Sequence, residues 1–248
     1  MPIGVTILSF EDLLERVRSR DDVVGLYVLG SRGRDFMVDE RSDWDVCVVL
    51  ADLEARRSFD RAFPSVHGAR VEIATATLDG LRNAASEHER YAAAHARVML
   101  DRTGGELTRL VEELESLPEG TRDSVVREAL DAYVNQTYRC LRYGTRLDAV
   151  EAVPHALRTI FALADRVRPY NKYLEWELRH HPLDGWDADE LLPLLDRVLA
   201  GEPGAQHELF NLIEPPVRRA GFGDVLDAWE PDVDWLRGNG DYRASRSA

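Results

Sequence analysis

The chain has 248 residues, of which 44% are hydrophobic, and a formal net charge of −14 at pH 7. This is the composition of a globular protein long enough to bury a core, and it excludes a disordered chain. The apolar runs are shorter than the ~18 residues that cross a bilayer. The N-terminus lacks the basic start of a secretory leader, and the acid surplus disfavours binding to a nucleic acid backbone.

Cysteine usage points to the same kind of protein. Only two cysteines occur, Cys47 and Cys140, which is too few for a disulfide framework. Cys47 lies inside an apolar run and is predicted to be a small core residue. With neither a leader nor a membrane span predicted, we expect a cytoplasmic protein that binds no membrane and no nucleic acid.

Helix and strand patterns alternate in the first half of the chain. Ser9 followed by Asp12 resembles a capping box, and apolar residues then recur at helical spacing. Short apolar runs rich in β-branched residues predict strands at residues 23–29, 44–50, 69–76 and 96–100. Further helices are predicted at residues 51–63, 78–94 and 105–117, and a polar loop at residues 31–42.

The second half shows helical patterns alone. It follows the turn-forming run Pro118-Glu119-Gly120, and helices are predicted at residues 124–144, 148–168, 188–201 and 205–221. Pro154 falls in the first turns of its predicted helix, where proline is tolerated. The polar tail from Arg237 is expected to fray. We therefore predict an α+β protein, with a sheet-containing domain at residues 1–117 followed by an all-α domain at residues 118–248.

Two aspartates at the start of the second predicted strand suggest a metal site. The strand opens with Asp43-Trp44-Asp45. Residues two apart on a strand point to the same face, so the aspartates are expected to project together. Neighbouring carboxylates repel each other unless a cation lies between them, and they suit Mg²⁺, which keeps coordination positions for phosphate oxygens.

The end of the preceding strand suggests a phosphate site. Gly30 has no Cβ, so a phosphate could approach its backbone closely. Ser31 offers a hydroxyl and a backbone N–H, and Arg32 is a nearby cation. A helix starting there would add further N–H donors.

A third acid is expected beside the aspartates. Glu72 lies between Val71 and Ile73 in the third predicted strand, and a carboxylate inside a strand is costly to bury unless it is paired or binds metal. Together with the two aspartates it would form a triad that can bind metal and deprotonate an attacking hydroxyl.

The run LGSRGRDFMVDERSDWDVCVVL resembles the signature of the polymerase-β-like nucleotidyltransferase superfamily: Gly-Ser, a spacer, then Asp-x-Asp on the second strand. The resemblance extends over residues 20–115 and implies a mixed sheet with helices behind it, divalent metals, and transfer from a nucleoside triphosphate. By position it implies that Gly30 and Ser31 hold the triphosphate, that Asp43 and Asp45 bind metal, and that Glu72 is the third carboxylate.

The helical half is similar to that of members that adenylylate aminoglycosides. In that group an acid within an Arg-x-x-Glu-Val-Thr-like strand is the catalytic base, which implies Glu72 here, although the residues around it match only loosely. A lysine of the helical domain contacts ATP phosphates in the group. The run RPYNKYLEW resembles the neighbourhood of that lysine, which makes Lys172 the candidate.

These features predict a Mg²⁺-dependent adenylyltransferase that moves AMP from ATP to a hydroxyl of a small molecule, such as an aminoglycoside antibiotic. The −14 charge favours a cationic acceptor, and acids of the helical domain are expected to line its cleft: Asp131, Asp148, Glu151, Glu175 and Glu177. Two alternatives stay open: an antitoxin-like enzyme that modifies a protein, and a non-catalytic nucleotide-binding module.

Overall fold

The computed structural model describes residues 9–84 and 86–240. The segment on which the absence of a leader was judged, and most of the tail predicted to fray, lie outside the described residues. The chain divides into two compact units, Met1–Ser116 and Leu117–Ala248.

The first unit combines a sheet with helices. Its strands are β1 (Val23–Val28), β2 (Trp44–Leu50), β3 (Val71–Thr77) and β4 (Arg97–Asp101), and its helices are α1 (Phe10–Arg18), α2 (Gly30–Arg34), α3 (Leu53–Ala62), α4 (Leu78–Arg82), α5 (Glu87–Ala93) and α6 (Glu106–Glu113). The strands form one sheet in the order β3-β2-β1-β4. Strand β1 is antiparallel to both β2 and β4, whereas β2 and β3 are parallel, so the sheet is mixed.

Both faces of the central strands β1 and β2 are buried, and strand alternation decides which residues face which side. Leu26, Val46 and Val48 belong to one apolar cluster, with residues of α1 and α3. Tyr27 and Cys47, which are paired across β1 and β2, belong to a second cluster with residues of α6. The near-continuous apolar runs that predicted the strands follow from this two-sided burial.

Two local predictions were wrong. The polar loop predicted at residues 31–42 begins with a helix, α2. The single helix predicted over residues 78–94 is two short helices, because Thr77 and Ser86 each cap one, their side chains accepting the N–H groups of Gly80 and Glu89.

Helix α2 packs closely on strand β1. A Cβ added to Gly33 would lie 2.4 Å from the carbonyl oxygen of Val28, and real Cβ atoms do not approach that closely. Any side chain at this position would therefore push the helix away from the strand.

The described residues of the second unit form helices joined by loops, with an isolated bridge between Leu183 and Trp186. The unit comprises α7 (Arg122–Tyr143), α8 (Arg146–Leu163), a 3-10 turn (Asn171–Tyr173), α9 (Leu174–His180), α10 (Ala188–Leu199), α11 (Pro203–Arg219), α12 (Gly223–Asp227) and α13 (Asp232–Leu236). Helices α7 and α8 pack as a hairpin, because Gly144 ends the first in a left-handed conformation and Thr145 caps the second.

The sheet-containing unit followed by a helical unit confirms the α+β prediction. Helix α8 begins at Arg146, two residues before its predicted start, so Pro154 lies in the helix interior, where it removes the bond to the carbonyl of Val150. In the part of the chain that the structure describes, every helix is too short or too polar to cross a bilayer.

Because Cys47 lies in the core, its thiol is expected to be far less reactive than that of Cys140. Burial raises the pKa of the Cys47 thiol to about 11, so almost no thiolate exists at pH 8. We expect iodoacetamide to modify half-buried Cys140 in the native protein and to leave Cys47 unmodified until urea unfolds the chain. Peptide mass spectrometry measures both sites in one sample, and alkylation of Cys47 in native buffer would contradict its place in the core.

Candidate functional site

The two predicted aspartates lie at the start of strand β2. Asp43 is exposed and immediately precedes the strand, and Asp45 is its half-buried second residue. Asp45 pairs in register with Glu72 on the parallel strand β3, and residues paired in this way lie on the same face of a sheet. The structure thus brings Asp45 and Glu72 to neighbouring positions on one face.

The Gly30 turn lies against Asp45. A Cβ on Gly30 would lie 2.2 Å from Oδ2 of Asp45, so glycine is what allows the carboxylate to rest against this backbone. Gly30 also has a φ of +63°, a left-handed conformation that side chains disfavour. The N–H of Leu29 donates to the carbonyl of Asp45 at 2.8 Å, which ties the turn to β2. Ser31 follows within α2 and is half-buried.

Glu72 is engaged by a neighbouring turn. Its Oε1 accepts the backbone N–H of Gly68 at 2.5 Å and lies 3.3 Å from Nδ1 of exposed His67. Among the residues that the structure describes, no group of three or more histidine, cysteine or acidic side chains is arranged to hold a metal ion. The three-carboxylate metal set therefore stays a prediction.

Arg32 contacts backbone next to the acids. Its guanidinium donates to the carbonyl oxygens of Ser42, at 2.8 Å, and Asp43, at 3.0 Å. The guanidinium carbon also lies 4.5 Å from the ring centroid of Trp44, which stacks on Phe10 at 3.9 Å. The sequence predicted a phosphate contact for Arg32. The structure places this cation on the segment that leads into Asp43, so it holds that segment in place.

The loop before Asp43 is ordered by Asp39, which was not among the candidate residues predicted from the sequence. Asp39 accepts hydrogen bonds from the N–H groups of Arg41 and Ser42, both at 2.8 Å, and from the Ser42 hydroxyl at 3.0 Å. The bond from the Arg41 N–H holds the pKa of Asp39 below its ordinary value. The signal was present in the sequence, because an aspartate two and three residues before its N–H partners is a common turn former.

Lys172 belongs to the second unit. It is exposed in the 3-10 turn Asn171–Tyr173, with Nζ 4.7 Å from the ring centroid of Tyr173. It is also the sole lysine of the chain, whose other basic residues are arginines. Arginine does not replace lysine at a site that needs a compact, mobile ammonium group, so a single lysine among many arginines marks an unusual position.

The acids expected to line an acceptor cleft each have a partner within the second unit. Their carboxylates contact Trp229, Arg139, Gln136, Arg179 and Arg166, in the order Asp131, Asp148, Glu151, Glu175 and Glu177. Glu177 is buried, and its partner Arg166 is half-buried. Internal contacts therefore account for the acids that were predicted to line the cleft of a cationic acceptor.

The donor chemistry at the start of β2 is suitable for a divalent ion. Mg²⁺ prefers carboxylate oxygens and octahedral coordination completed by water or phosphate. Asp43 and Asp45 offer such oxygens beside the Gly30 turn, where the Asp45 carboxylate occupies the space that a side chain would fill. Glu72 is adjacent but already accepts a backbone N–H, which suits a positioned base at least as well as a ligand.

Comparison with known proteins adds little. No protein-family model matches the sequence, and no curated protein is significantly similar to it. Among solved structures, the chain is similar to a nucleotidyltransferase-like protein from Exiguobacterium sibiricum 255-15, with 14% identity and a TM-score of 0.34. The alignment covers 86% of this chain and 75% of that chain. A TM-score this low assigns neither a family nor an activity.

Proposed function

We propose that this chain is a nucleotidyltransferase of the polymerase-β-like superfamily that transfers AMP from ATP to a hydroxyl of a small molecule. One observation carries the proposal: the Gly30 turn packs against the Asp45 carboxylate, beside Asp43, with Glu72 in register on the next strand. The Gly-Ser and Asp-x-Asp elements of the signature are thereby adjacent in space as well as ordered in sequence.

The residues divide into those that bind and those that move a proton. Asp43 and Asp45 would hold Mg²⁺, which when bound supplies charge neutralisation for the triphosphate. Gly30 lets the Asp45 carboxylate lie against the backbone, which would bring a metal-bound triphosphate beside the turn, and Ser31 would donate to a phosphate. Arg32 keeps Asp43 in place through the carbonyl bonds described above.

The reaction is a substitution at the α-phosphorus. The acceptor oxygen forms a bond to that phosphorus while the bond from it to the bridging oxygen of the β-phosphate breaks. Glu72 accepts the proton of the acceptor hydroxyl, and pyrophosphate leaves with the bonding electrons. Because little covalent chemistry falls to the protein, positioning and charge stabilisation account for most of the rate.

Nucleotide transfer itself is the first test. The protein is incubated with Mg²⁺, ATP labelled at the α-phosphate, and a panel of aminoglycosides and lincosamides, and products are analysed by mass spectrometry for a gain of one nucleotide. A labelled product that requires Asp45 supports the proposal. Tight Mg²⁺–ATP binding without transfer to any acceptor, or to the protein itself, would favour the non-catalytic alternative. Transfer to an uncharged acceptor would contradict only the inference that the net charge of −14 favours a cationic acceptor.

Lys172 allows a second test. It is the only lysine in the sequence, so amine reagents can modify only this side chain and the N-terminus. We expect Lys172→Ala to weaken Mg²⁺–ATP binding about tenfold, as loss of a charge-assisted phosphate contact does. Calorimetry measures the affinity, and Lys172→Arg is the control that keeps the charge. Mg²⁺–ATP should also protect Lys172 from acylation. Unchanged affinity and no protection would make Lys172 an ordinary surface residue.

A further inference from the structure

Two arginines of the first unit are buried almost completely. Arg34 is 7% exposed and Arg90 is 8% exposed, whereas most arginines lie at the surface. Arg34 donates to the carbonyl oxygens of Tyr91, at 2.8 Å, and Ala94, at 2.7 Å, and its other terminal nitrogen lies 3.4 Å from the carbonyl of Gly30. A guanidinium that is buried and donates to backbone carbonyl oxygens is unusual.

The carbonyl partners of Arg34 are those that a helix leaves unsatisfied. Tyr91 and Ala94 lie in the last turn and at the C-terminal cap of α5, where carbonyls lack helical partners and the helix dipole favours a positive charge. Arg34 satisfies both oxygens from α2, far away in the sequence. It therefore fastens the end of α2 to the end of α5.

Helix α2 needs such a fastening. It has five residues, far fewer than an isolated helix requires, and its N-terminal cap residue has no side-chain hydrogen bond. Its first residue is Gly30, which rests on Asp45. The place of the Gly30–Ser31 turn beside the acids thus depends on contacts made by the rest of α2, and the guanidinium of Arg34 contacts the carbonyl of Gly30 directly.

We propose that Arg34 is a positioning residue for nucleotide binding, which holds the Gly30–Ser31 turn against Asp45 by anchoring α2 to the C-terminal end of α5. The proposal rests on the proposed function, because it assigns Arg34 a role at the same site. Arg34 itself contacts backbone and the ring of Tyr91, whose centroid lies 4.8 Å from its guanidinium carbon. Its effect on the reaction passes through Gly30 and Ser31.

Arg90 provides a matched control. It is equally buried, lies in the same unit, and donates to three backbone carbonyls, those of Ala84, Glu113 and Ser116. Arg90 lies in α5 and Glu113 is the last residue of α6, so Arg90 fastens α5 to the end of α6. None of these three carbonyls belongs to a residue of the proposed nucleotide site. Loss of either arginine should destabilise the fold, whereas loss of Arg34 should disturb the turn far more, because Arg34 contacts the carbonyl of Gly30 directly.

The first experiment compares Mg²⁺–ATP binding in the full-length variants Arg34→Met and Arg90→Met, with unfolding midpoints measured in parallel. We expect both to lose stability, Arg34→Met to raise the Kd about tenfold or more, and Arg90→Met to change it less than about twofold. Arg34→Lys, which keeps charge and stem but not the fork of donors, is used if the methionine variant fails to fold. Equal changes in Kd at the two positions, or none at Arg34, would overturn the assignment.

The second experiment needs no nucleotide. Amide hydrogen exchange of Arg34→Lys should rise in α2 and its preceding turn, while Arg90→Lys should raise exchange near the end of α6 instead. Unchanged exchange in α2 would refute the anchoring role. If the wild-type protein binds no nucleotide, the proposed function fails, yet hydrogen exchange still decides whether Arg34 holds the turn.

Discussion

Asp45→Asn is expected to lower nucleotidyl transfer at least about 10³-fold, because a metal ion stabilises the transition state by several kcal/mol and each 1.36 kcal/mol corresponds to a factor of ten. Asp43→Asn should have a similar effect. Both changes keep the size of the side chain and remove a charge, so the protein should stay folded. Its melting temperature without metal should be unchanged or higher, since removing one of two neighbouring like charges relieves repulsion.

The control for these variants is Asp21→Asn. Asp21 is exposed and precedes β1, at the opposite end of that strand from Gly30, so the substitution makes the same change in net charge away from the site. Initial rates with labelled ATP and an accepted substrate measure the effect, and circular dichroism establishes the fold. Near wild-type rates in both Asp43→Asn and Asp45→Asn would remove the metal assignment, whatever the nucleotide affinity.

Gly30→Ala is expected to remove most activity for a different reason. The added Cβ would lie 2.2 Å from Oδ2 of Asp45, so the carboxylate has to rotate away or the turn has to move. The left-handed φ of +63° also disfavours alanine, at a cost of about 1–2 kcal/mol in stability. We expect a loss of activity of about 100-fold or more, since small displacements of a binding group are costly to catalysis.

Gly104→Ala separates the two causes. Gly104 has a φ of +71°, close to that of Gly30, but a Cβ there would meet nothing within 4 Å. Both variants should therefore lose similar stability to backbone strain, and only Gly30→Ala should lose activity. The unfolding free energies and transfer rates of the pair measure this. Similar activity losses in both would mean that strain, and not the contact with Asp45, accounts for the effect.

The local patterns of the sequence predicted the framework well. Two-sided burial of the sheet produced the apolar runs that identified β1 and β2, and Ser9 with Asp12 forms the capping box that begins α1. The α+β class followed from these patterns. The order of Gly30–Ser31 and Asp43–Asp45 along the chain indicated a candidate site at the start of β2, where the structure places Gly30 against Asp45.

The contacts that fix this site were decided by the tertiary structure alone. Arg32 was predicted to contact phosphate, yet it donates to backbone carbonyls, as does nearby Arg34, two of whose partners belong to a helix that follows much later in the chain. Glu72 likewise accepts the N–H of Gly68. Every residue carries a carbonyl, and all but proline an N–H, so a side chain that binds backbone leaves no pattern in its partner's residue type. Apolar periodicity and capping residues are local and legible in sequence, whereas the partner of a buried guanidinium depends on which helix end the fold brings beside it.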